Sequence, residues 1–297
     1  MDLYWMGLML GLFGAACQAA NYSFTKECQE KAGLRGIRLL LCSHAFMSAA
    51  TVIPFIAFAH YRAFDSGVAI RLCLIVAPYF FGQYFTNAAI AASDSSVVSP
   101  LLTVKIPILA VITTVFLGDS FTAKQLAAAV LIVLIGIRFS TISGRISPKP
   151  LALTALGALS YCVSDLSMAN LMRYFGAMGY GSRAQQVFMG ITFEYIACGL
   201  VAALLAPLAH VKITLRSTAA TWKMGTAWLL SMVGIVGCFN LDGVVAGNIV
   251  QSLRAVIGVL IAYIFYRRYI KDPGNFRRKL IASFGMIACV CLYYAQG

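Results

Sequence analysis

Two basic residues stand in apolar surroundings. Lys105 lies near the middle of SDSSVVSPLLTVKIPILAVITTVFLGDS (residues 93–120), and Arg254 near the middle of LDGVVAGNIVQSLRAVIGVLIAYIFYRR (residues 241–268); both runs are of membrane-spanning length. A cation at the centre of a bilayer-spanning helix costs ~2.5 to 3.5 kcal/mol on insertion scales and normally turns inward toward partners or water. Roughly ten residues separate each charge from either end of its run, which at ~1.5 Å per residue exceeds the reach of the side chain's own stem. A guanidinium fork and a lysine point charge are the two usual clamps for a carboxylate or phosphate. Asp165 and Glu194 are the deep carboxylates available to them, so internal ion pairing and contact with an anionic substrate both stand open.

Other polar residues fall at helical spacing around this pair. Tyr79, Gln83 and Asn87 recur every four positions in a run otherwise rich in phenylalanine and alanine, which makes one polar stripe. Gln251 lies one turn before Arg254, Tyr161 one turn before Asp165, and Gln186, Gly190 and Glu194 form a further stripe. These faces are expected to point inward. The plain alternative is that Gln83, Asn87 and Gln251 only bridge helices, at ~0.6 kcal/mol each in membrane proteins. His44 reads as a hydrogen-bonded interior histidine or, with Asp165 and Glu194, as a coupling group that carries a proton.

The elements that must position these residues follow from composition and pattern. At 61% hydrophobic and 11% charged, the 297-residue chain has too little polar surface for a soluble globule. The net charge of +13 sits mainly in short loops, so it is read as residues stopping helices at the membrane edge and no nucleic-acid partner is expected. Eight of the nine cysteines fall in apolar runs, no C-x-x-C occurs and the three histidines are scattered, so neither a metal site, a cofactor nor a disulfide framework is expected. The N-terminus lacks a basic n-region and reads as a retained first helix.

Apolar runs predict ten spans, near residues 3–24, 37–59, 68–91, 97–117, 125–139, 151–172, 186–208, 222–239, 244–266 and 280–294. The sequence then repeats. A shift of 149 lays Lys105 on Arg254 and Thr103 on Ser252; one of 143 lays Gln18 on Tyr161 and Tyr22 on Asp165; one of 150 lays His44 on Glu194. Further matches at 153 and 154 bring FTN onto CFN and QLAAAV onto KLIASF. The expectation is an all-α integral membrane protein of two five-helix repeats, residues 1–146 and 147–297, forming one membrane domain. An odd number of spans per copy inverts the second copy, and such folds bind substrate near the midplane between repeats and alternate access by rocking. Tyr22 is counted with the lining on this register.

The run S-x-L-L-x-x-K-I-P-I-L followed by L-G-D-S-F-T-A-K-Q-L resembles the EamA-type pattern of the drug/metabolite transporter superfamily, in which a proline-bearing core precedes a Gly-acidic turn. Pro107, Gly118 and Asp119 carry the match. The second half departs from it, with Val256 at the proline position and Arg267 and Arg268 where Gly-Asp would fall. The resemblance implies a secondary transporter of small metabolites. With the inward cations it gives the expected function: a carrier of a small polar metabolite with an anionic group, such as an amino acid, organic acid or sugar phosphate. The alternative within the class is an exporter of cationic or amphipathic compounds that uses Asp165 or Glu194 and aromatic walls. A lipid enzyme and a channel are disfavoured, because no D-x-x-D, H-x-x-x-H or G-x-S-x-G arrangement and no ring of like groups is present.

The expected partners are therefore a small-molecule substrate and the lipid bilayer, in a cell or bacterial inner membrane, as monomer or homodimer. Loops after the odd-numbered spans carry 16 of the 23 Lys and Arg, against 5 in the other loops and both termini. The positive-inside rule thus puts both termini outside the cytoplasm, whereas the resemblance implies termini inside.

Overall fold

Apolar runs of about twenty residues leave the backbone no water to bond, so helices satisfy it internally. The computed structural model describes residues 3–93, 95–142, 147–265 and 273–295, and no strand occurs among them. The helices are α1 (Leu3–Lys31), α2 (Gly36–Ala57), α3 (Ser66–Ala92), α4 (Ser95–Leu101), α5 (Lys105–Ile112), α6 (Ala123–Ile142), α7 (Pro148–Ala177), α8 (Arg183–Leu208), α9 (Leu215–Ala219), α10 (Trp222–Asp242), α11 (Val244–Gln251), α12 (Arg254–Phe265) and α13 (Pro273–Tyr294). Eight stretches among the described residues are long and apolar enough to cross a membrane: α2, α3, residues 97–116, α6, α7, α8, α10 and residues 244–261. The first and last expected spans are helices too, of 29 and 22 residues, but more polar. α1 also runs beyond Phe24 to Lys31, where Lys26 faces Glu30 and Lys31 faces Glu27 at i,i+4 spacing. A girdle of exposed large side chains, including Ile53 at 73%, Leu204 at 70% and Phe116 at 78%, is suited to hydrocarbon and not to water.

The two central runs differ from the continuous helices the sequence predicts. The first stops at Leu101, passes through a 3₁₀ turn over Leu102–Val104, restarts as α5 at Lys105 and ends in a π-type turn over Thr113–Leu117. The second breaks between Gln251 and Arg254. Each restart falls on the cation. Pro107 offers no N–H to the Thr103 carbonyl and crowds it, which accounts for the first break. The second half has no such proline. What the two share is a hydroxyl two residues before the cation: Thr103 Oγ1 donates to the Pro100 carbonyl, and Ser252 Oγ to the Ile249 carbonyl, each three residues back. Such local bonds compete with the helical ladder and bend it. Gly118, the residue of the Gly-acidic turn, closes the first run at φ 73°, a left-handed conformation that glycine adopts without strain. Arg267 and Arg268 lie outside the described residues.

The helices pair across the sequence midpoint. α1 packs on α10, α3 on α7, α2 on α8, α6 on α13, α4 on α12 and α5 on α11. The α1–α10 crossing is close enough that a Cβ on Gly234 would stand 2.6 Å from the Gly14 nitrogen and 2.8 Å from its Cα. Gly234→Ile must therefore separate two backbones, an overpacking that costs roughly 1–3 kcal/mol or more. The expected outcome is a melting temperature lower by about 2–5 °C or more in detergent. Gly258→Ala, at a helical glycine whose added Cβ meets nothing within 4 Å, is the matched control and should not lower it.

At the loop entering α3, Asp65 caps the helix by accepting from Val68 N at 2.7 Å and from the Tyr174 hydroxyl of α7 at 2.7 Å. The tyrosine bond first, then the backbone bond, hold this carboxyl below its ordinary value.

Candidate functional site

The broken helices and their neighbours line a narrow central cavity of about 20 Å³, closed down around its polar residues. Lys105, Arg254, Tyr79, Gln251, Tyr161, Tyr22, Asp165 and Glu194, all singled out in the sequence, line it together. Gln83, Asn87 and His44 stand outside its wall. Residues at i,i+4 on α3 climb about 6 Å per step, so the stripe leaves the cavity after Tyr79. Gln83 Nε2 donates to the Tyr79 hydroxyl at 3.2 Å, and the Asn87 carbonyl accepts from Gln29 Nε2 at 3.1 Å. His44 Nδ1 lies 2.7 Å from the Leu40 carbonyl, with its ring 4.5 Å from that of Phe80 and 5.4 Å from that of Tyr79.

The two cations have similar settings and different partners. Each lies over a tyrosine ring contributed by the other half of the chain: Lys105 Nζ is 5.6 Å from the centroid of Tyr161, and Arg254 Cζ is 5.9 Å from that of Tyr22. Each also bonds a residue one turn away on the same helix as that tyrosine. For Lys105 this is the Asp165 carboxylate, at 3.1 Å. For Arg254 it is the Gln18 amide oxygen, at 3.0 Å from Nη1. Arg254 Nη2 donates to the Ser99 carbonyl at 3.3 Å, in the helix that stops just before Lys105.

Lys105 is thus neutralised by a carboxylate, and Arg254 is not. Arg254 is 2% exposed, has no acidic partner among the described residues, and leaves Nε without an acceptor. Glu194 Oε2, Gln251 Oε1 and the Tyr22 hydroxyl are also buried without a partner. With the Tyr161 hydroxyl, equally unpaired, five unsatisfied polar atoms belong to the residues of one cavity, and a polar ligand would occupy them, because buried groups of this kind are otherwise bonded.

Of the lining residues not singled out in the sequence, three carry polar groups: Gln18, Ser164 and Trp228. Gln18 lay in the repeat register, four residues before Tyr22 and aligned with Tyr161, and that position was the available signal. Ser164 precedes Asp165 and had none of its own. Trp228 stands alone in an apolar run, where polar periodicity gives nothing to see. Trp228 Nε1 donates to the Tyr195 hydroxyl at 2.6 Å, and that oxygen lies 3.2 Å from the Tyr79 hydroxyl. The chain Trp228–Tyr195–Tyr79–Gln83 holds the two aromatic rings, Tyr79 and Trp228, that line the cavity.

Comparison with known proteins adds a family. Residues 5–142 match the model of the EamA-like transporter family. No curated protein matches the sequence. Among solved structures, a crystal structure described only as that of a protein has a TM-score of 0.67 at 11% identity, over 97% of this chain and 96% of that one. At that identity the likeness is one of fold.

Proposed function

We propose, on the premise that this chain is an EamA-type transporter of the drug/metabolite transporter superfamily and an integral multi-pass membrane protein, that it is a secondary carrier of a small metabolite bearing an anionic group. The substrate binds at the central cavity, between two inverted five-helix repeats that alternate access. Helix pairing supports the repeat: exchanging each helix for its counterpart five spans later turns α1–α10 into α7–α3 and leaves α2–α8 and α6–α13 unchanged. The settings of Lys105 and Arg254 follow the same exchange.

The observation that carries the substrate class is the uncompensated Arg254. A buried guanidinium with no counter-ion is costly unless an anion arrives to pair with it. Among amino acid, organic acid and sugar phosphate, the amino acid uses the most of the cavity. Its carboxylate meets Arg254, and its ammonium meets the unpaired Glu194 and the ring faces of Tyr79 and Trp228. In this reading Lys105 and Asp165 hold each other, while Gln251 and Tyr22 complete the polar wall. A second reading, export of cationic or amphipathic compounds, is favoured by one fact alone, the free Glu194 carboxylate beside aromatic rings.

Counterflow in proteoliposomes separates these readings. Preloaded neutral amino acids should drive exchange better than dicarboxylates, sugar phosphates or organic cations. Glu194→Gln should weaken exchange of zwitterions by about tenfold and leave monocarboxylates little changed. Best exchange with organic cations would discard the anionic reading. Best exchange with an organic acid or sugar phosphate would keep it and remove the amino acid.

A further inference from the structure

We infer that the groove between α6 and α13 is a binding site for an anionic phospholipid, with the lipid phosphate held between Arg138 and Arg278 and an acyl chain lying along the apolar floor. The groove is lined by Leu134, Ile135, Ile142, Ile281, Ala282 and Gly285 together with the two arginines. α6 and α13 run antiparallel, as one shared cavity joining residues 123–125 to 293–295 and another joining 134–142 to 278–285 require. Arg138 comes four residues before the end of α6, and Arg278 five after the start of α13. Both cations therefore reach the same end of the bundle, close to the depth of lipid headgroups.

From Arg278 to Gly285 the floor descends seven residues, or about 10 Å, into the hydrocarbon. Gly285 keeps the floor open, because a Cβ there would meet Ile135 Cδ1 at 3.1 Å. The flank opens sideways to lipid through exposed Ile281 and Phe284. That exposure selects an acyl chain over a soluble occupant. Neither arginine has a side-chain partner among the described residues, although both are exposed. Two unpaired cations at the mouth of an apolar groove complement a phosphodiester with attached chains, and discriminate against a headgroup whose own ammonium cancels its phosphate. The end of the bundle they occupy is also the one whose loops hold 16 of the 23 Lys and Arg. By the positive-inside rule it faces the leaflet in which anionic lipids attract such charges.

The test uses the full chain in detergent, titrated with phosphatidylglycerol or phosphatidylcholine of matched chain length. Retained lipid is counted by native mass spectrometry, and thermal unfolding is followed in parallel. Phosphatidylglycerol should be retained preferentially and raise the melting temperature. The double variant Arg138→Gln, Arg278→Gln should lose about ten- to thirtyfold in that preference, as expected for two interfacial cations. Arg138→Lys with Arg278→Lys should keep most of it. Lys212→Gln with Arg216→Gln, exposed at the same end between α8 and α10, should change nothing. Equal loss in that control pair would assign the effect to general surface charge and overturn the site. So would an undiminished preference in the arginine double variant, or equal stabilisation by millimolar inorganic phosphate.

Discussion

Arg254→Gln is expected to abolish measurable transport while leaving the protein folded and at least as stable as the wild type. The two halves of that result have one cause. Arg254 is buried, donates to neutral oxygens of Gln18 and Ser99, and has no carboxylate to balance it among the described residues. Removing an unbalanced buried cation removes a desolvation cost, so the empty protein gains or stays level in melting temperature. The bound state loses its charge-assisted clamp. Truncating one partner of a buried charged pair costs about 2–5 kcal/mol, so affinity should fall by roughly 30-fold or more. Arg254→Lys keeps the charge but loses the planar fork, and should recover part of the transport with a raised half-saturation concentration. The measurement is initial uptake in proteoliposomes over a wide substrate range, with thermal unfolding of the same preparations. Uptake by Arg254→Gln within about threefold of wild type would end the case for an anion at this residue. Unfolding of that variant would show that the guanidinium serves as scaffold.

Much of the cavity's polar lining was legible in the sequence, and what was not legible has physical causes. Lys105, Arg254, Asp165 and Glu194 stood out because a charge in an apolar run must be turned inward, whatever the fold. Tyr22 and Tyr161 were placed by the internal repeat, which fixes equivalent positions without any contact being known. The stripe Tyr79–Gln83–Asn87 gave the right face of α3 but not the depth, since periodicity states direction and says nothing of where along the axis a cavity begins. Trp228 was hidden because an aromatic in an apolar run looks the same whether it meets lipid, core or ligand. The breaks before Lys105 and Arg254 were hidden differently. Only the first has a proline, and the hydroxyls of Thr103 and Ser252 bend a helix only in certain rotamers. Pairing was the hardest to foresee: two cations and two carboxylates permit several arrangements, and these four groups form one ion pair, leaving Arg254 and Glu194 without a charged partner among the described residues.

That uneven pairing gives the second large effect, on stability instead of transport. Lys105 and Asp165 bond at 3.1 Å with side chains 5% and 15% exposed, and Asp165 also accepts from Asn248 Nδ2 at 3.1 Å. The carboxylate therefore joins α7 to the start of α5 and to α11, both of them pieces of the broken helices. Asp165→Asn strands a buried ammonium and should destabilise by about 3–5 kcal/mol, a fall of roughly 5–10 °C in melting temperature. Lys105→Gln should cost less, because Asp165 is nearer to water and keeps Asn248 as a donor. The double variant Lys105→Gln, Asp165→Asn replaces the pair with two amides that can bond each other, and should recover most of the lost stability. A coupling of 2 kcal/mol or more in that cycle is the expected reading. Transport separates scaffold from ligand contact. With Arg254 as the anion clamp, the double variant should regain uptake to within about tenfold of wild type, whereas restored stability with uptake still absent would place Lys105 on the substrate. Additive losses in the two single variants would remove the ion pair from any account of how the broken helices are held.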